Sequence, residues 1–122
     1  MSTTGFANRL RSLLCRGKDD GALGTSVSAE RAVELVRDGA ALVDVRESHE
    51  WKAGHAPQAL HVPLDRIDTA PRRLAGRSPV LVVCASGMRS RVGAKKLRDA
   101  GLEAASVSGG MAAWQRAGGV VR

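Results

Sequence analysis

The feature that most constrains the fold is an apolar run that leads through a short cysteine-containing loop into a helical pattern. The run is Pro79-Val80-Leu81-Val82-Val83, the loop begins at Cys84, and the helical pattern extends from Arg89 to Ala100. A β-branched apolar run is typical of a buried strand in a parallel sheet. The order of these segments predicts an α/β fold with Cys84 at the carboxyl end of a strand, where open α/β sheets bind ligands.

The loop itself predicts a binding site for an anionic group at Cys84. A helix N-terminus presents unpaired N–H groups and about half a positive charge. Gly87 accepts a positive φ and so lets the loop turn its amides inward, while Arg89 adds a full positive charge. Such surroundings lower the pKa of a thiol, and the thiolate is the nucleophile. The alternative interpretation is a small buried hydrophobic residue that ends a strand.

Other patterns along the chain fit the same α/β class. Apolar runs and turn residues predict a short edge strand at Thr25-Ser26-Val27 and further strands over 41–45, 59–62 and 104–107. Helices are predicted over 29–37, capped by Ser28, over 48–53, over 64–74, where the pattern is ragged, and over 111–117. Trp51 is expected to turn to the core, and Trp114 is expected to be buried. His49, His55 and His61 are interpreted as structural hydrogen-bonding residues, although His55 could serve as a general acid or base.

A charged pair follows the strand over 41–45. Strand alternation puts Asp44 and Arg46 on the same side, near the carboxyl edge of the sheet. Charges buried there are costly unless they pair or bind something. We expect Asp44 to be structural and Arg46 to be available to a substrate anion, with a simple salt bridge as the alternative.

Length and charge narrow the class of protein further. The chain of 122 residues is sufficient for one domain, predicted over 25–122, and has no apolar run long enough for a transmembrane segment. We predict that residues 1–24 are a separate amphipathic segment and linker. It either folds against the domain or is a frayed tail, or it docks on a membrane surface or partner. The net charge of +7 concentrates in residues 71–98, a basic face that could attract a small anion or an acidic partner protein. No nucleic-acid module or aromatic platform is present, so nucleic acid is not an expected partner.

The two cysteines suggest a free thiol at Cys84. Cys15 and Cys84 lie far apart in dissimilar segments, and neither forms a metal-ligand pattern with the histidines. We therefore expect no metal. A free, reactive Cys84 predicts a reducing compartment and hence a cytoplasmic location.

Three blocks of residues together resemble a single-domain rhodanese, a family of sulfurtransferases. They are Leu42 to Glu47 with Trp51, Gly54 and His55; Val83 to Ser90; and Val107 with Gly109-Gly110-Met111 and Trp114. The resemblance implies a central, mostly parallel five-stranded sheet with helices on both faces. It also implies that Cys84 is the catalytic residue, that Arg46 helps to bind the donor anion, that Asp44 and Ser90 support the site, and that the active loop consists of Ala85, Ser86, Gly87, Met88 and Arg89.

The chemistry implied by the resemblance is sulfur transfer through a persulfide on Cys84, without a metal or organic cofactor. Small anionic donors such as thiosulfate or a persulfide supply the sulfur, and a thiol or cyanide accepts it. Two departures from the common family pattern concern Gln58, where a glycine is usual, and the uncharged Ala85 and Ser86, where some thiosulfate-preferring members carry a cation. The second departure makes a persulfide donor as plausible as thiosulfate.

Two alternative functions remain open on the sequence. A cysteine-based phosphatase or arsenate reductase uses the same architecture but resembles Cys-x5-Arg, whereas Cys84 to Arg89 is Cys-x4-Arg. A non-catalytic binding or regulatory module of the same fold often lacks the cysteine, which this chain retains.

Overall fold

The computed structural model describes residues 23–122, which form one parallel sheet covered on both faces. The strands are β1 (Ser26–Val27), β2 (Ala41–Asp44), β3 (Leu60–His61), β4 (Val80–Val83) and β5 (Ala104–Val107). Their order is β1-β5-β4-β2-β3, and every pair is parallel. The predicted five-stranded α/β fold is confirmed, and its sheet is entirely parallel. Most of the segment predicted over 1–24, including Cys15, lies outside the described residues.

At least one helix follows every strand along the chain. The helices are α1 (Ala29–Arg37), α2 (Ser48–Lys52), a 3₁₀ helix (Leu64–Thr69), α3 (Ala70–Leu74), α4 (Met88–Asp99) and α5 (Gly110–Arg116). Ser28 caps α1 as predicted, because its side chain accepts a hydrogen bond from the amide of Arg31 at 3.0 Å.

The helix predicted over 64–74 is instead two short helices. The 3₁₀ helix contains a kink at Arg66, and α3 begins at Ala70 with Pro71 in its first turn. Proline lacks an amide hydrogen and is tolerated in the first turn, where that hydrogen has no partner in the helix. Pro71 therefore marks the start of a helix rather than a defect within one.

Each face of the sheet carries its own hydrophobic core. Along β4, Val80 and Val82 pack under α3, α4 and the 3₁₀ helix, while Leu81 and Val83 pack under α1 and α5. Strand side chains alternate between faces, so a strand covered on both sides is apolar throughout. The residue that follows β4 is Cys84, which places it at the carboxyl end of the central strand.

No helix among residues 23–122 is long and apolar enough to cross a membrane.

Candidate active site

Cys84 lies buried where the loop leaves the central strand. Its exposed fraction is 0%. Ala85, Ser86 and Met88 are exposed around it, with Met88 reaching 67%, whereas Gly87 is buried. The thiol therefore sits beneath a rim made by its own loop, at the sheet edge where α/β proteins bind ligands.

Main-chain amides of the loop converge on the sulfur. The Gly87 N–H donates to Cys84 Sγ at 3.0 Å, and the Ser90 N–H donates to it at 3.3 Å. Gly87 has a φ of +113°, the left-handed region that the sequence predicts for it. These amides face inward and form the anion cradle expected at the N-terminus of α4.

Two buried hydroxyls extend the contacts of Cys84 into the protein. The Cys84 thiol donates to Ser90 Oγ at 3.4 Å, and Ser90 Oγ donates to the Gly87 carbonyl at 3.1 Å. Ser90 Oγ also lies 2.7 Å from Ser106 Oγ on β5. If the thiol ionises, Ser90 can turn its proton to the sulfur and accept one from Ser106. Ser106 was not predicted; its only sequence signal is a hydroxyl in an otherwise apolar buried strand.

The pKa of the Cys84 thiol is lowered. Burial is the largest single influence and would raise this pKa, but hydrogen bonds from the Ser90 side chain and from the amides of Ser90, Gly87 and Ser86 together outweigh it. A lowered pKa increases the thiolate fraction near neutral pH, so the cradle prepares a nucleophile.

Arg89 forms a bidentate ion pair with Glu50 of α2. Its Nη1 and Nη2 donate to the two carboxylate oxygens at 2.7 and 2.9 Å. This bidentate pair lowers the pKa of Glu50 to about 2, chiefly through the hydrogen bonds from Arg89. The positive charge of Arg89, which the sequence assigns to the cysteine loop, is thus largely balanced by a carboxylate. Glu50 is a site-supporting residue that the sequence analysis missed.

Arg46 is likewise occupied. Its Nε donates to Asp44 Oδ1 and Oδ2 at 3.0 and 3.1 Å, and its Nη2 donates to Asp44 Oδ2 and the Gly54 carbonyl, both at 2.8 Å. Both residues are buried, on the same side of the sheet edge as predicted. The pair joins the end of β2 to the turn after α2; its predicted role toward a donor remains a prediction.

Trp51 stacks between two histidines. Its ring lies 3.5 Å from that of His55 and 4.6 Å from that of His61, and both pairs are nearly parallel. His55 Nδ1 donates to the Trp51 carbonyl and His61 Nε2 donates to the Arg46 carbonyl, each at 2.8 Å. His55 and His61 thus make the hydrogen bonds expected of structural residues. The prediction that Trp51 turns to the core is wrong: Trp51 is only partly buried, belongs to neither hydrophobic core and stacks on the two histidines instead.

The start of α5 supports the loop from beneath. The Met111 N–H donates to the Cys84 carbonyl at 3.0 Å. A β-carbon on Gly110 would overlap the carbonyl carbon and oxygen of Ala85. Only a residue without a side chain can approach the loop this closely. The sequence predicts a turn at Gly109-Gly110 and a helix from Met111, whereas α5 begins at Gly110.

Two comparisons with known proteins bear on this site. The family model described as a rhodanese-like domain matches residues 28–117. The chain belongs to the rhodanese-like family.

Within residues 23–122, no group of three or more His, Cys, Asp or Glu side chains could hold a metal ion.

Solved structures of several relatives are similar to the chain. A rhodanese-related protein from Thermoplasma volcanium is 26% identical with a TM-score of 0.71, covering 80% of this chain and 97% of that one. A protein of unknown function from Rhodopseudomonas palustris, described as a possible tyrosine phosphatase, is 25% identical with a TM-score of 0.72 over 80% and 84%. A thiosulfate sulfurtransferase from Pseudomonas aeruginosa is 29% identical with a TM-score of 0.69, covering 80% of this chain but 20% of that one.

Proposed function

We propose that this chain is a sulfurtransferase that carries sulfane sulfur as a persulfide on Cys84. The observation that carries the proposal is the set of N–H groups directed at a buried, low-pKa thiol, at 3.0 Å from Gly87 and 3.3 Å from Ser90. Such a set stabilises a negative charge that stays on sulfur throughout the reaction. Likeness to a thiosulfate sulfurtransferase supports the same chemistry.

The first half-reaction loads the cysteine. The Cys84 thiolate attacks the outer sulfur of a donor, for example thiosulfate, and the electron pair of the S–S bond leaves with sulfite. One negative charge on the enzyme before the step becomes one negative charge on the persulfide after it. When Cys84 reacts as the thiolate, the first half-reaction needs no proton transfer and therefore no general base.

The second half-reaction unloads the sulfur. A thiolate or cyanide attacks the outer sulfur of the persulfide, forms a new persulfide or thiocyanate, and returns the Cys84 thiolate. The same inward-facing amides serve both half-reactions, because the negative charge lies within the loop before and after each transfer.

Mass spectrometry of the intact protein tests the proposal. After incubation with thiosulfate or a low-molecular-weight persulfide, we expect an added mass of about one sulfur atom that reductant removes, together with turnover to cyanide. Cys84→Ser should show neither. Absence of both adduct and turnover with every donor would instead support a non-catalytic binding module.

The phosphatase alternative gives a control assay. The loop has four residues between Cys84 and Arg89, and Arg89 is bound to Glu50. A phosphate ester requires a larger ring of donors than a single sulfur atom. We expect hydrolysis of para-nitrophenyl phosphate to be much slower than sulfur transfer, and the reverse order of rates would favour the phosphatase.

A further inference from the structure

The two arginines expected to attract a donor are already paired with carboxylates. Arg46 is buried against Asp44, and Arg89 forms a bidentate pair with Glu50. Each pair has almost no net charge and so attracts an approaching anion only weakly. A donor anion that approached either guanidinium would compete with a carboxylate held at 2.7–2.9 Å.

A third arginine lies over the loop without such a partner. Arg91 is exposed, two residues beyond Arg89 on α4. Its Nε donates to the Gly87 carbonyl at 3.4 Å, and its Nη2 lies 3.9 Å from Met88 Sδ. Within residues 23–122 it forms no ion pair, so its charge is available to a ligand.

Arg91 contacts the same loop residue that contacts the reacting sulfur. The carbonyl that it contacts belongs to Gly87, whose own amide contacts Cys84 Sγ at 3.0 Å. The next cations along α4 are Lys95 and Lys96, about 6–8 Å further along the helix axis at a rise of 1.5 Å per residue. Lys95 is also paired with Asp99 at 3.0 Å.

We propose that Arg91 binds the anionic end of the sulfane-sulfur donor, the sulfonate or carboxylate that lies beyond the sulfur attacked by Cys84. This inference rests on the proposed function and adds a specificity-determining residue to it. A guanidinium with free N–H groups forms charge-assisted hydrogen bonds to planar and tetrahedral oxyanions alike. The amides hold the sulfur that is transferred, while Arg91 holds the group that leaves.

Alkylation of Cys84 tests the charge of Arg91 without any sulfur transfer. Iodoacetate and iodoacetamide react with the same thiolate through the same opening, and they differ only in the negative charge of iodoacetate. A change in the pKa or accessibility of Cys84 affects both rate constants alike. The ratio of the iodoacetate rate constant to the iodoacetamide rate constant therefore reports the charge near the thiol. In Arg91→Gln we expect this ratio to fall about three- to tenfold.

The matched control is Arg37→Gln. Arg37 is an exposed arginine in the last turn of α1, at the opposite edge of the sheet, so its loss removes the same net charge. We expect it to leave the alkylation ratio unchanged. Arg91→Lys should keep the ratio closer to the wild-type value than Arg91→Gln does, because a cation remains. An unchanged ratio in Arg91→Gln, or an equal fall in Arg37→Gln, would overturn the inference.

Steady-state kinetics identify which oxyanion Arg91 binds. For Arg91→Gln we expect KM to rise about tenfold with kcat changed less than twofold, for thiosulfate, for glutathione persulfide or for both. A rise confined to one donor assigns the sulfonate or the carboxylate as its ligand. An unchanged KM for both overturns the inference while sulfur transfer itself persists; failure of the proposed function appears separately, as loss of transfer with every donor in the wild type.

Discussion

The groups that stabilise a negative charge on Cys84 lie within six residues of it along the chain. The amides of Gly87 and Ser90 and the Ser90 hydroxyl contact its sulfur, and they overcome the effect of burial on its pKa. Among residues 23–122, no guanidinium makes a hydrogen bond to this sulfur. The activity of the thiol should therefore respond more to the loss of one hydroxyl than to the loss of a nearby cation.

Removing the Ser90 hydroxyl tests this dependence. In Ser90→Ala the amide remains but the side-chain hydrogen bond is lost, so the pKa of Cys84 should rise and the pH profile of its alkylation should move to higher pH. Because a hydrogen bond to a charged group contributes about 1.5–3 kcal/mol, we expect sulfur transfer at pH 7 to fall about tenfold or more.

Ser108→Ala is the matched control, since Ser108 is an exposed serine just beyond β5. It should retain both the activity and the pH profile of the wild type. An unshifted profile in Ser90→Ala would show that the amides alone set the pKa.

Single residues also show where sequence reasoning ends. The Asp44–Arg46 contact was accessible from sequence, because strand alternation fixes which side chains share a side. The Arg89–Glu50 pair was not, because the partners are 39 positions apart and lie on different helices. Ser106 was missed for the same reason: it lies on β5 and Ser90 lies on α4, and only the packing of α4 against β5 brings the two hydroxyls together.

At the level of secondary-structure elements, the ion pair between Glu50 and Arg89 ties α2 to α4. The pKa of Glu50 in the folded chain is about 2, below its ordinary value of 4.5. A depressed carboxyl pKa stabilises the fold fully above the unfolded value, and this contribution is lost as pH falls from 4.5 toward 2.

Glu50→Gln should lower the free energy of unfolding at pH 7 by about 1–2 kcal/mol, a figure reduced for solvent screening because Arg89 is about one-third exposed. Chemical denaturation at pH 7, 4 and 2.5 measures the difference, which should shrink as pH falls. A difference that does not depend on pH would mean that packing, and not the charge of Glu50, accounts for the loss.

The contact between α5 and the loop gives a second test. In Gly110→Ala the new methyl group would overlap the backbone of Ala85, so we expect sulfur transfer to fall more than about tenfold through displacement of the amides. Comparison of turnover and of Cys84 alkylation rates measures the effect.

Gly118→Ala provides the control at the other end of α5. Gly118 also has a positive φ, +96°, but nothing lies within 4 Å of its virtual β-carbon. Both variants carry backbone strain of about 1–2 kcal/mol, and only Gly110→Ala should impair activity. Equal losses of activity would assign the effect to strain alone.

Elements were predictable where one local signal dominated. Apolar runs identified β2, β4 and β5, and Ser28 identified the start of α1. The split between the 3₁₀ helix and α3 was not predicted, because the apolar pattern continues through Pro71. The close contact of Gly110 with Ala85 was not predicted, because no local pattern reveals that α5 packs against the loop.

At the scale of the whole molecule, every strand and every helix of residues 23–122 except α2 contributes to one of the two hydrophobic cores. Leu23 already packs against the core under α1 and α5. We therefore expect a chain that begins at residue 23 to fold, with a melting temperature within a few degrees of that of the full chain and with persulfide formation retained. Thermal denaturation and mass spectrometry of both forms measure this.

A large drop in melting temperature on truncation would show that residues 1–22 belong to the folded domain, contrary to the predicted boundary. Retained stability with lost transfer would assign those residues a part in the reaction.

The complete burial of Cys84 at the end of the central strand limits which reagents in the cell can react with its sulfur. Any reagent must pass the rim of Ala85, Ser86 and Met88 before it meets the sulfur. We therefore expect slender reagents to react with Cys84 faster than bulky electrophiles and large oxidants do. A sulfur atom stored there should outlast one carried on an open surface.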